Sequence, residues 1–317
     1  MGSEARHHHY VPQGYLRGFG HKKGKNWFVF ANDLGTGRSY EANTRNVCGE
    51  RDFMRFESEG HEPDVLEKEL SKLEGAACEA IRNVVKAARF DSEDRVLILN
   101  LMALLAVRSP ERRESMRQFH EAVARRTLDM VLSKKEHWEH QIDKLGRDAN
   151  GSQVSFEQAR EFHQRGEYTV EVNRERHIIN EFGVFDTVLR LLDRRQWTLY
   201  TSTGEYGEFV TTNRPVVLSF KEPENVPLFQ RHSPGFGLMG TEIFFPLTKH
   251  AFLIGRWKRG GHTEVATQSF IAAANTHMMA YSYGQVFSAE REILHCDEST
   301  NIHWDAEFLR RFNPPAA

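Results

Sequence analysis

Three cysteines in 317 residues, Cys48, Cys78 and Cys296, stand far apart and form no C-x-x-C pair. That argues against a thiolate zinc site and leaves reduced thiols in a cytosol as the plain expectation. No apolar stretch reaches the length that spans a bilayer. The N-terminus lacks the basic-then-apolar pattern of a secretory signal, so a cytoplasmic chain with no membrane partner is expected. Neither sign of charge dominates: 42 Lys and Arg face 44 Asp and Glu, for a net charge of −2. A large nonspecific nucleic-acid surface would show as a basic excess, and there is none. One small basic patch, His21 to Lys25, reads as a solvated turn. No internal repeat or low-complexity segment occurs. With 39% hydrophobic and 27% charged residues, the chain has the composition of a globular protein with a real core.

What is present is histidine in a telling place. His7-His8-His9-Tyr10-Val11-Pro12-Gln13 runs into Tyr15-Leu16-Arg17-Gly18-Phe19. The run is short and passes straight into strand-like sequence, unlike a purification tag, which ends in a polar linker. Pro12 holds Val11 extended, and extended backbone alternates faces. His7, His9 and Val11 then point one way, His8 and Tyr10 the other, so the three imidazoles cannot share one metal without a bend. Pro12 and Gly20 bracket a short helix whose Leu16 and Phe19 should reach a core. Imidazoles just before a helix N-terminus are favoured in the neutral form, which binds metal or accepts a proton. Of the three, His9 is the strongest single candidate.

Trp27–Phe30 and the stretch from Ser39 to Val47 read as a small hairpin. Helical periodicity then dominates from about 63 to 195. One amphipathic helix opens at Pro63. An almost wholly apolar one follows from Ser92 to the break at Ser109-Pro110 and should be central. A long polar-faced helix is expected from Glu111 to about Lys144, with further helices from Phe156 and from Val172 to Leu192. Strand character takes over from about 196 to 290, with a Pro- and Gly-rich loop from Glu222 to Gly240. We expect one α+β domain over 1–317, predominantly helical, with a C-terminal antiparallel sheet and the small N-terminal hairpin.

Three further features can carry chemistry. Glu67 and Glu74 are two turns apart on one helix, so both can face one cation or share a proton; a solvated acidic stripe is the plain alternative. Arg108 closes the apolar helix, where a cation is welcome, and pairs either with a neighbouring carboxylate or with an anionic substrate. Asn100, on the same helix, needs a partner. Thr211-Thr212-Asn213-Arg214-Pro215-Val216 puts hydroxyls, an amide and a guanidinium at a strand-to-turn break, as an anion site or a simple turn. His8-His9-x-Val11-Pro12 also matches the HH-x-VP stretch of HNH nucleases, but the downstream His61 falls in a polar loop before Pro63, so that homology is set aside.

The order of these segments resembles the domain-of-unknown-function 4238 family, an uncharacterised bacterial family. Its HHYVPQFYLRxF stretch is matched from His8 to Phe19, with Gly14 in place of the aromatic. Its E-x6-E helix is similar to Glu67 and Glu74, its R-x-P break to Arg108–Pro110, its TSDNPV motif to Thr211–Val216 and its FPL to Phe245-Pro246-Leu247. In the late motif the family's Asp falls on Asn213 and its Asn on Arg214. Asn213 cannot act as a base, although its carbonyl can still ligate. The resemblance implies a fold relation and supplies no activity.

The residues suggest a metal-dependent hydrolase, a phosphodiesterase or nuclease. His8, His9, Glu67 and Glu74 would hold a divalent metal ion. His9, Glu74 and Arg108 would be catalytic, and Thr212, Asn213 and Arg214 would bind a nucleic acid or a small phosphate-bearing ligand. The rival is a non-catalytic module for a small anion or a protein partner, in which the His segment is a structural latch. A metal-free His/Glu acid–base enzyme is a third possibility.

Overall fold

Pro12 separates the first two elements of the chain. Before it, His7–His9 (β1) is extended; after it, Gln13–Leu16 (α1) turns helical and tightens into a 3-10 turn over Arg17–Phe19. A computed structural model describes residues 7–56, 65–145, 154–231 and 234–312. The elements that follow are β2 (His21–Lys23), β3 (Asn26–Asp33), β4 (Arg38–Asn43) and β5 (Gly49–Arg51), then the helices α2 (Val65–Ala87), α3 (Ser92–Val107), α4 (Pro110–Val131), α5 (Lys135–Leu145), α6 (Phe156–Arg165) and α7 (Arg174–Asp193). Strands β6 (Gln196–Thr201), β7 (Thr211–Thr212), β8 (Val217–Phe220), β9 (Thr241–Thr248), β10 (Ala251–Arg256) and β11 (Thr263–Val265) come next. Helix α8 (Gln268–Ala280), strands β12 (Gln285–Ser288), β13 (Ile293–Cys296) and β14 (Ile302–Asp305), and α9 (Phe308–Phe312) complete a mixed α+β chain. No helix among the described residues is long and apolar enough to cross a membrane.

The residues group into two compact units, one of 1–109 with 178–317 and one of 110–177. In the first, α3 is the buried centre, as its apolar run predicts: Ile98, Leu99, Leu101, Met102, Ala103 and Leu104 are almost without exposure. The Leu70, Ala77, Ile81 and Val84 face of α2 belongs to the same core, as do Leu16 and Phe19. Each large aliphatic side chain so buried contributes roughly 1.5–3 kcal/mol.

One five-stranded sheet runs β11-β6-β10-β9-β8; its pairs are antiparallel except the edge pair β11·β6, which is parallel. The N-terminal hairpin β3–β4 is not a separate ornament. Strand β3 continues through β12 to β7, so the two ends of the chain share a sheet.

The second unit is helical and stitched by polar contacts. Arg125 stacks on Tyr168 at 4.4 Å, and His163 joins Tyr168 to Asp129 at 2.6 and 2.7 Å. Ser155 and Gln158 cap α6 reciprocally, and Gly166, left-handed at φ 66°, ends it.

Two expectations change. The helix awaited from 111 to 144 is two helices: Leu132 turns inward at 5% exposure, and the Ser133 hydroxyl donates back to the Met130 carbonyl at 2.7 Å, ending α4 without Gly or Pro. The basic turn at His21–Lys25 contains a strand, β2, whose His21 and Lys23 share Glu41 of β4. The pairing that makes it a strand comes from β3. The loops expected at 57–63 and 146–151, the Pro63 opening and His61 lie outside the described residues.

Candidate functional site

Strand β1 pairs with β5, placing His8 opposite Glu50 and His9 opposite Gly49. The predicted alternation of faces holds: His8 is 2% exposed, whereas the rings of His7 and His9 meet edge to face at 5.1 Å. His8 Nδ1 accepts the Met54 N–H at 2.8 Å, which puts the proton of a neutral ring on Nε2. His9 Nε2 lies 3.1 Å from the Arg45 carbonyl, to which it donates. Burial, and then the neighbouring His7, lowers the His9 pKa below its ordinary value and favours the neutral ring. The backbone on either side of β5 is strained, with positive φ at Cys48 and Asp52 (54° and 57°).

Helices α2 and α3 bring the other charges here. Arg108 caps the C-terminus of α3, its N–H bonded to the Leu104 carbonyl. Its side chain is 1% exposed, and Nη2 donates to Glu74 Oε1 at 2.6 Å. Glu74 keeps 15% of its side chain in contact with solvent. Among the described residues, Arg108 Nε and Nη1 are buried with no hydrogen-bond partner. Glu67, two turns before Glu74, has its carboxyl pKa raised, first by burial and further by the Glu74 charge, against the pull of His8 and Arg108. His8, His9, Glu67, Glu74 and Arg108 are therefore close enough to perturb one another. Asn100 stays out of the cluster and donates to the Val96 carbonyl of its own helix.

The late motif does not join this cluster through any described contact. The Thr212 hydroxyl donates to the Arg214 carbonyl at 2.8 Å and accepts the Arg214 N–H at 3.1 Å. Asn213 donates from Nδ2 to the Tyr283 carbonyl and accepts the Tyr283 N–H on Oδ1, at 2.9 and 3.0 Å. The Arg214 guanidinium lies over the Tyr283 ring at 5.0 Å. These contacts are those of a closed turn.

A second meeting point was not foreseen. The buried Tyr15 hydroxyl donates to the Pro246 carbonyl at 2.7 Å and so accepts from Thr211 Oγ1 at 2.9 Å. Tyr15 also stacks on Phe245 at 5.5 Å. Residues of the first motif, the late motif and Phe-Pro-Leu meet at one oxygen, and its burial raises the phenol pKa well above the ordinary value. The only signal in the sequence was that Tyr15 lies in the densest motif.

Among the described residues no group of three or more His, Cys, Asp and Glu side chains is arranged to hold a metal ion. No curated protein and no solved structure matches the chain. One family model does, over residues 7–292, described as "Protein of unknown function (DUF4238)". The match takes in β1, both Glu67 and Glu74, Arg108 and the late motif, and the chain belongs to that family.

Proposed function

We propose that the chain is a hydrolase of anionic esters, in the first instance phosphodiesters, working by His/Glu acid–base chemistry at the cluster of His8, His9, Glu67, Glu74 and Arg108. Arg108 carries the reading. It is buried and tied to one carboxylate, yet two of its donor nitrogens have no partner. Leaving such donors unmade is costly, and a phosphate oxygen would satisfy them with charge-assisted bonds. His9, kept neutral, would take the proton of the attacking water. Glu67, whose raised pKa favours the protonated form, would give a proton to the leaving alkoxide as the ester P–O bond breaks.

A divalent ion bound by His8 or His9 with Glu67 or Glu74 is the metal-dependent form of this proposal. The ligand set among the described residues is too small to favour it. Hydrolysis of bis(p-nitrophenyl) phosphate and of DNA and RNA, with and without a chelator, tests both forms. His9→Ala should lose about 10²–10⁴-fold in rate if the imidazole is the base. No turnover by the folded wild type, or an unchanged rate in His9→Ala, overturns the proposal, and chelator-sensitive turnover moves it to the metal form.

The latch reading rests on the bonds His8–Met54 and His9–Arg45, which pin β1 at both rings. On that reading the ligand is a small anion or a protein, and His8→Ala lowers thermal stability with no activity to lose. We place the protein in the cytoplasm. The Cys78 thiol is pushed up to about 11 by burial, which makes it inert.

A further inference from the structure

A second candidate site lies on the β11-β6-β10-β9-β8 sheet and shares no lining residue with the cluster above. Arg195, between α7 and β6, is 2% exposed. Its guanidinium donates to the carbonyls of Thr241, Gly255 and Phe236 and to the Thr241 hydroxyl, at 2.7 to 3.3 Å. All four acceptors are neutral, so among the described residues no carboxylate bonds this buried charge; Glu242 acts on it only through space, and its Nε has no partner. An interior charge without a counter-charge is unfavourable unless something supplies one.

Arg195 stacks on Trp257 at 4.6 Å. Trp257 lines a cleft of about 760 Å³, together with Thr198, Lys221, Arg256, Lys258 and Arg259. That volume is in the range of small-molecule sites. Two carboxylates also line it, and both are engaged: Glu242 by Arg256 at 2.6 Å and Glu264 by His262. Among the described residues Lys258 and Arg259 have no ion pair, while Lys221 has only the exposed Glu222 at 3.4 Å. The cleft therefore carries an excess of positive charge, with Arg195 behind it. Thr198 lines the same cleft and is 1% exposed, and its buried hydroxyl has no hydrogen-bond partner among the described residues. Buried hydroxyls are nearly always bonded, so an orphan one at a cleft marks the place of a missing group.

We propose that this cleft binds a phosphate-bearing small molecule of nucleotide size. Lys258 and Arg259 hold the phosphate, the ring system lies against Trp257, and a polar group bonds the Thr198 hydroxyl. The anion adds to the counter-charge of Glu242, which Arg195 now shares with Arg256.

Calorimetric titration with AMP, ATP and inorganic phosphate tests the idea. AMP and ATP should bind saturably, and AMP at least tenfold more tightly than phosphate. The double variant K258E/R259E, altered at two exposed positions, should weaken AMP at least tenfold with an unchanged melting temperature. Thr198→Val should weaken it several-fold. His9→Ala should bind as wild type does, which keeps this site's failure separate from that of the hydrolase reading. Three results overturn the proposal: no saturable binding of any probe, phosphate as tight as AMP, or wild-type affinity in the double variant.

Discussion

The motifs that carry the family resemblance meet at two places, and the two are built on opposite principles. At the first, β1, α2 and α3 gather His8, His9, Glu67, Glu74 and Arg108: charged, partly buried and incompletely bonded. At the second, Tyr15, Thr211 and Pro246 form a neutral, buried knot in which the hydroxyl both gives and takes a hydrogen bond. A knot with every bond made is what stability selects. A cluster that leaves two guanidinium nitrogens unpaired and a carboxyl pKa raised gives up stability locally, and such trade-offs concentrate where chemistry is done. The contrast can be broken or sharpened by mutation.

The largest effect is expected at Arg108. Arg108→Ala removes the partner of Glu74 and leaves its carboxylate mostly buried, a change that typically costs about 3–5 kcal/mol. Urea titration measures it. Adding Glu74→Gln should recover part of the loss, because the uncompensated charge goes. If Arg108→Ala unfolds no more easily than wild type, the cluster is not the strained element described here. Tyr15→Phe comes next. It keeps the stack on Phe245 but deprives Thr211 and Pro246 of their partner, for about 1–3 kcal/mol. Unlike Arg108→Ala, it should leave any hydrolytic rate intact; a rate loss with an unchanged melting temperature would join the knot to the site.

Half of this contrast was legible in the sequence. Glu67 and Glu74 could be placed on one helix face by their spacing, and Arg108 at the end of an apolar helix by Pro110. Their pairing is between neighbouring helices in the chain. The alternation that separates His8 from His9 follows from backbone geometry alone. The knot was not legible, because Tyr15 and Thr211 are 196 residues apart and nothing local records that they touch. The same holds for the partner of β12: a strand was expected at its residues, but its pairing with β3 from the other end of the chain was not. Gly14 is a different case. It stands where the resemblance expects an aromatic, and a Cβ there would stand 2.9 Å from Cys78 Sγ of α2. The glycine lets the two helices approach, and no local pattern in the sequence records that contact.

Glu67→Gln should move stability the other way. A carboxyl whose folded pKa lies above its ordinary 4.5 binds more protons folded than unfolded between those two values. Its favourable contribution is complete below about 4.5 and is lost as pH rises through the folded pKa. Glutamine removes that loss. The variant should match wild type in acid and exceed it at neutral pH, as urea titration at the two pH values would show. On the hydrolase reading it should also lose most of its activity. Gain of stability with loss of rate is the signature of a group kept for chemistry. Gain of stability with an unchanged rate would leave Glu67 without a catalytic role.

Arg214 supplies the smallest effect and the cleanest control. It is only partly buried, and its guanidinium lies over Tyr283 within a turn already closed by Thr212 and Asn213. Such a contact is worth about 0.5–1 kcal/mol, so Arg214→Ala should lower the urea midpoint slightly and no more. If Arg214 also steadied a substrate's phosphate, the same variant would raise KM for an anionic ester well beyond what its small stability change explains. An unchanged KM confines the anion's charge to Arg108. A raised KM would bring the late motif to the cluster, to which no described contact joins it.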